Sequence, residues 1–356
     1  MILSGLMACA EQPNPPSHAS AVPTAAETDP IVTDDDAADD PALWIAPDPR
    51  RSRIIGTDKR HGLYAYALSG ERLQFLAAGE VNNVDVRQDV ALNGRRWDIA
   101  AASHETEVAL NLFVIHRQAG HLTEAATLPL NGFEEPYGLC LYRSPTDGAL
   151  YAFVTDKGTA AIAQVRIRHD GDGFTAEQVR RLQLETVAEG CAADDRTGKL
   201  YLAEEHRGLW RFGAEPGDGD RGELLARIPE NGLTSDLEGV ALLPADRGGG
   251  HVMVSSQGND SYFAYRLQDG RFAGSFHLAA GATDAVTHTD GIEITTRSLG
   301  ARFPEGILVV QDDENTPAPG QNFKIADLRD VEAIVRPPSS APPARRTPTR
   351  PGSAPH

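Results

Sequence analysis

Cysteine is nearly missing from this chain: Cys9, Cys140 and Cys191 are the whole supply. No two have the spacing of a thiolate metal site, so a cysteine-built zinc centre is excluded. Cys140 and Cys191 both sit in apolar, strand-like runs, where two buried thiols and a disulfide fit the pattern equally. Long apolar runs are missing too, and none reaches the ~20 residues of a membrane-spanning helix. Positive charge is short: 33 Lys and Arg face 51 Asp and Glu, a formal net charge of −18. That balance argues against nucleic acid and anionic membrane surfaces as partners. It leaves an anionic small substrate open, because bound cations would reverse the local field. Helical periodicity is scarce as well, and Thr175–Arg181 is the one stretch that hints at it.

What the chain has instead is a repeat. Alternating runs begin at Gly62, Ala109, Ala161, Gly208, Ser261 and Asn322, at a spacing of about 50 residues. Most lead into a turn signal such as Ser69-Gly70, Asp170-Gly171 or Asp269-Gly270, and each follows another apolar run such as Leu150–Val154. Four short strands per period of this length describe a propeller blade. The reading is an all-β protein, a six-bladed β-propeller with four antiparallel strands per blade. Loops at one end of such a ring converge on a central channel, where residues far apart in sequence meet.

Carboxylates recur beside turn residues and apolar runs. In Thr234-Ser-Asp-Leu-Glu-Gly239 two acids lie two residues apart, on one face if the segment is extended. Like charges that close repel unless a cation or a proton intervenes. Oxygen-only ligands point to calcium or magnesium. Asp39-Asp40, Glu189-Gly190 and Asp290-Gly291 repeat the theme.

The ends differ from the middle. Leu6-Met-Ala-Cys9 resembles a bacterial lipobox but lacks a basic start, so either the true start lies upstream, with a lipid anchor at Cys9, or the resemblance is chance. Residues 1–28 read as a signal remnant and flexible linker, 29–335 as the propeller, and 336–356 as a Pro- and Arg-rich disordered tail.

Ten motifs then fall into order: Asp39-Asp-Pro-Ala-Leu-Trp44, Asn82-Asn-Val-Asp-Val-Arg87, Asp98–Ser103, Glu135-Pro-Tyr-Gly138, Glu189–Asp195, Tyr201-Leu-Ala-Glu-Glu205, Asp236-Leu-Glu-Gly239, Ser255–Asn259, Asp290-Gly291 and Gln321-Asn-Phe-Lys324. Together they resemble the β-propeller phytases and span essentially all of 29–335. The resemblance implies calcium-dependent hydrolysis of phytate by metal-activated water, on calcium phytate as substrate. It implies active-site Ca2+ on Asp29, Asp39, Asp40, Glu189, Asp236, Glu238 and Asp290. Phosphate would be held by Lys59, Arg60, Arg87, Tyr137 and Lys157, with Glu205 at a neighbouring site. Of these, Asp236, Glu238, Glu189, Tyr137 and Arg87 would act in catalysis, while Asp312 and Asn315, with Gln311, would build a structural calcium site.

Two positions depart from the family pattern. Asp313 stands where glycine usually follows Gln-Asp, and His288 stands where an acid commonly precedes Thr-Asp-Gly. Arg87 also has an alternative, a structural pair with Asp85, and Tyr137 could be a core tyrosine. The expected protein is a monomer in the bacterial cell envelope, as a periplasmic or outer-membrane lipoprotein, or secreted. The rival readings are a calcium-dependent propeller lactonase and a non-catalytic surface propeller that only binds.

Overall fold

The computed structural model of the protein describes residues 14–34 and 36–336. Six sheets are arranged as blades, and each of the six repeated runs becomes the third strand of one blade. Blade 1 runs Ala38–Trp44, Arg53–Asp58, Gly62–Ala67 and Arg72–Ala77, from the inner to the outer strand. Blade 3 runs Pro136–Arg143, Leu150–Asp156, Ala161–His169 and Phe174–Gln183. Six buried apolar clusters lie one between each pair of neighbouring blades. Between blades 2 and 3, for example, Ile99, Leu110 and Leu112 pack on Leu139, Leu141 and Val154. Burying such side chains, worth ~1.5–3 kcal/mol each, holds blade to blade and leaves the channel to polar groups.

The boundary at residue 28 is corrected. Ala26–Glu27 pairs antiparallel with Ile325 and Lys324 as the outermost strand of blade 6. Ser20–Pro23 adds a fifth strand, parallel to Phe272–Ala279, on blade 5. The start of the described chain therefore closes the ring at its last blades. Thr175–Arg181 is also corrected, since it lies inside the strand Phe174–Gln183. The one α-helix among the described residues is Leu328–Val335, capped by the Asp327 carboxylate, which accepts from the Arg329 amide. It buries Leu328, Val331 and Val335 against blades 5 and 6. Cys140 and Cys191 form a disulfide. Cys9 and residues 337–356 lie outside the described residues.

One local device is repeated and shapes the channel. In the inner strands of blades 1 to 5, two residues oppose one on the neighbouring strand, between Ala38 and Pro41, Val81 and Val84, Pro136 and Leu139, Ala188 and Cys191, and Leu237 and Val240. An extra residue of this kind re-aims the side chains beside it. The bulged pairs are Asp39-Asp40, Asn82-Asn83, Tyr137-Gly138, Glu189-Gly190 and Glu238-Gly239, and Asp290-Gly291 holds the same place just before the inner strand of blade 6. The second member packs on the next blade. A methyl group added at Gly138 would lie 1.7 Å from the Glu189 carbonyl oxygen, and one at Gly190 would lie 1.8 Å from that of Glu238.

Candidate functional site

The first member of each bulged pair faces one end of the channel. Asp39, Asn82, Tyr137, Glu189, Glu238 and Asp290 line a single cavity of about 580 Å³ there. Turns between the second and third strands add Lys59 and Arg60 from blade 1, Glu105 from blade 2, Lys157 from blade 3, Gln257 from blade 5 and Asp313 from blade 6. A third contribution comes two residues before the bulge, with Glu80, Glu135 and His288. Nine carboxylates and three basic side chains line this mouth.

The mouth is underneutralised. Lys59 Nζ lies 2.8 Å from Asp36 Oδ1 and 3.1 Å from Asp39 Oδ2. Lys157 Nζ sits 4.3 Å from the centre of the Tyr137 ring, a cation–π contact. Asn82 Nδ2 donates to Glu189 Oε1 at 2.8 Å, and Gln257 donates to Asp290. Asp39 Oδ1 and Glu238 Oε2 remain buried with no hydrogen-bond partner. Burial first, and then the Glu189 charge, raise the carboxyls of Asp39, Glu238 and Asp290 above the usual range. Burial, Glu189 and Glu238 likewise push the Tyr137 phenol up, so it stays neutral. For Lys59 burial opposes the charge, but Asp39, Asp290 and Asp36 outweigh it and keep the ammonium protonated.

At the rim, one ligand atom each from Glu189, Glu205 and Glu238 lie within 4.8 Å of one another, and so do those of Glu205, His206 and Asp236. Glu205 joins the two groups. Asp236 does not share a regular strand face with Glu238, because the inner strand begins at Leu237 and the bulge follows at once. It stands two residues before the bulge, as Glu80, Glu135 and His288 do in their blades.

Five expected residues lie away from the mouth. Arg87 is five residues beyond Asn82 on its strand, roughly 16 Å further along the channel at ~3.3 Å per residue. It lines a second cavity, of about 300 Å³. There it donates to Asp85 at 2.9 Å, to Asp195 at 3.3 Å and to three backbone carbonyls, so the structural pair is the one observed. Asp40 lines the same lower cavity, its Oδ2 accepting from the Val84 amide at 3.0 Å. Asp29 is exposed, bound to Gly70 and Arg72 at a third-to-fourth-strand turn, away from the mouth. Asp312 and Asn315 come together with Glu27 and Asp284 around the buried Lys324 ammonium, 2.6 Å from Asn315 Oδ1. The ammonium is also 3.2 Å from Asp312 Oδ2, an ion pair without hydrogen-bond alignment. Gln311 turns the other way, its Oε1 accepting from the Asp290 amide.

Sequence reasoning missed Asp36, Glu80, Glu105 and Glu135 at the mouth, and His206 at the rim. The signal for two of them was the fixed offset: Glu80 precedes Asn82 and Glu135 precedes Tyr137 by the two residues that separate Asp236 from Glu238.

The phytase family pattern matches residues 3–336. The chain is 40% identical over 317 residues to a 3-phytase of Bacillus subtilis (strain 168), covering 86% of this chain and 83% of that one. A solved luciferin-regenerating enzyme has a TM-score of 0.52 at 10% identity, covering 82% of this chain and 92% of that one. At that identity the likeness concerns the fold alone.

Proposed function

The chain belongs to the phytase family and is a phosphoric monoester hydrolase that acts on phytate, and we propose that the carboxylates of its mouth hold calcium for that reaction. The observation that carries this reading is the buried, partnerless Glu238 Oε2, set in a ring where acids far outnumber bases. Phytate is itself dense in negative charge, and such a mouth repels it until cations intervene. The donors at the cavity are oxygens, which suit a hard cation of six to eight ligands. Asp39, Glu189, Glu238 and Asp290 would hold ions in the mouth, with Glu205 and Asp236 at the rim. When bound, calcium gathers phosphate oxygens and makes a coordinated water more acidic.

The protein's own side chains supply the rest. Lys59, Arg60 and Lys157 face the mouth from two blades, placed to meet phosphate oxygens as point charges and, for the guanidinium, as a planar fork. Tyr137, neutral beneath Lys157 and beside the Glu189 carboxylate, keeps a hydroxyl proton that can be donated to an anionic oxygen. A lactone would use none of these cations, which sets the lactonase reading aside.

A second, structural ion suits the cage of Glu27, Asp284, Asp312 and Asn315. Three carboxylates surround one ammonium there, and the remaining charge matches a divalent cation. The ring closes within one chain, which supports action as a monomer. Disulfides persist in oxidising compartments, so the Cys140–Cys191 bond supports a cell-envelope or secreted location. No helix among the described residues is long and apolar enough to cross a membrane.

Phosphate release from phytate, measured across a calcium series and in excess chelator, tests the proposal. Release should vanish with chelator and return with calcium, alongside several bound ions by equilibrium dialysis. Full activity in chelator would overturn it.

A further inference from the structure

The Cys140–Cys191 bond ties the inner strands of blades 3 and 4, with their Cα atoms 5.6 Å apart. It lies three residues beyond Tyr137 and two beyond Glu189, just beneath the mouth. Both cysteines are buried, so the link is part of the packed wall rather than a surface staple. At the bulges above it, the same strands approach so closely that a methyl at Gly138 would overlap the Glu189 carbonyl. Other blades meet at this level through hydrogen bonds. Gly239 N donates to Asp290 O and Gly291 N to Asp39 O, each at 3.2 Å.

The covalent link falls beside closely packed carboxylates. Oxygens of Glu189, Glu205 and Glu238 lie within 4.8 Å of one another, and Glu238 Oε2 is buried with no hydrogen-bond partner. Without a cation, repulsion therefore bears on the strand that carries Glu189. Displacing that strand would part Glu189 from Tyr137 on blade 3, which faces the same cavity beneath the Lys157 ammonium.

We propose that the Cys140–Cys191 disulfide is a positioning device, holding Glu189 and Tyr137 in register against carboxylate repulsion so that the mouth takes up its cation at lower concentration. The proposal rests on the calcium reading of the mouth. It adds that blades 3 and 4 are pre-set before the ion arrives, which saves the ion the work of drawing them together.

The full chain is compared in three forms: oxidised parent, parent under mild reduction, and the double variant Cys140→Ala with Cys191→Ala. Two readouts are taken. The first is the calcium midpoint for phosphate release, and the second is amide exchange over 136–141 and 188–193 in excess chelator. Breaking the bond should raise the midpoint several-fold, with the rate at saturating calcium nearly unchanged. Exchange should quicken over those two segments while 290–294 keeps its protection. Midpoint and exchange equal to the oxidised parent would overturn the proposal. So would a lowered saturating rate at an unchanged midpoint, which marks general damage. If neither redox form needs calcium, the calcium reading fails, and exchange alone decides the clamp: faster without the bond supports it, equal overturns it. Should the double variant not fold, the reduced parent gives the same comparison.

Discussion

At the far end of the channel Arg87 has Asp85 and Asp195 within 3.3 Å, whereas at the mouth Glu238 keeps a buried oxygen with no partner. Both cavities mix acids with bases, yet they are matched differently. In the far cavity each carboxylate has a donor. Asp85 accepts from the Leu141 amide, Asp195 from the Arg143 amide, Asp194 from Arg196, Asp40 from the Val84 amide and Glu293 from the Ile294 amide. That end is a saturated network that holds inner strands together. The mouth has unmet valence for cations, and a cation there is what turns a repelling surface into a phosphate-binding one. An arginine among acids is thus no sign of a substrate site; an acid without a donor is.

The sharpest way to break this comparison is Arg87→Ala. If the far network is structural, the variant strips the half-buried Asp85 and Asp195 of their shared guanidinium and leaves them mainly backbone amides, at a cost of ~1.5–3 kcal/mol in stability. Thermal melting should fall by several degrees, while KM for phytate in the surviving folded protein stays at the parent's value. A normal melt with a raised KM would return Arg87 to the substrate.

The matching test at the mouth is Glu189→Gln with Glu238→Gln. Removing two charges from the cation ligands should cut phosphate release on the order of 10²–10³-fold, as losses of preorganised charge stabilisation do elsewhere. The same pair should raise the melting temperature in chelator, because repulsion is relieved. Lost activity with a lower chelated melting point would mean that these acids are structural, like Asp85.

The sequence carried the fold further than it carried the site. Six third strands were legible because each alternates over five or more residues and most end on a hairpin turn. Ala26–Glu27 was not: two residues show no period, and its strand state comes from the open edge of blade 6. The helix had its signal in the Asp327 cap and in Leu328, Val331 and Val335, but eight residues fall below the length at which periodicity stands out. The family resemblance put Arg87 and Asp40 among the site residues. In the structure the bulge aims Asp39 at the mouth and its neighbour Asp40 at the lower cavity. Arg87 stands five residues past Asn82, too far along its strand to reach the mouth.

Lys59→Met sharpens the contrast on the basic side. Lys59 is braced by Asp36 and Asp39 rather than buried in a network. Its loss should remove one charged phosphate contact, worth ~1.5–3 kcal/mol, and appear mainly as a higher KM. The melting temperature with calcium should barely move. A large loss of stability instead would place Lys59 with Arg87 as a structural cation.

The smallest expected effect is a pH dependence confined to the mouth. In the metal-free protein, burial and the Glu189 charge hold the carboxyls of Asp39, Glu238 and Asp290 above their ordinary values near 4. The native state then binds more protons than the unfolded chain. The stability these groups contribute is complete below their unfolded pKa, and it is lost as pH rises through their raised folded pKa. Calcium replaces the protons and cancels that loss, so the stabilisation by calcium should widen with pH above about 5, by a few degrees of melting temperature. Measuring the difference between calcium and chelator at each pH removes the titration of the far cavity, where burial and Asp85 push Glu293 up to about 8 whether or not the mouth is filled. Proton release on calcium binding, read by calorimetry in two buffers of different ionisation heat, should shrink as pH rises and the carboxyls empty. A calcium-minus-chelator gap that stays flat from pH 5 to 8, with no proton release, would mean that the mouth acids are already charged and matched. The two ends of the channel would then be alike.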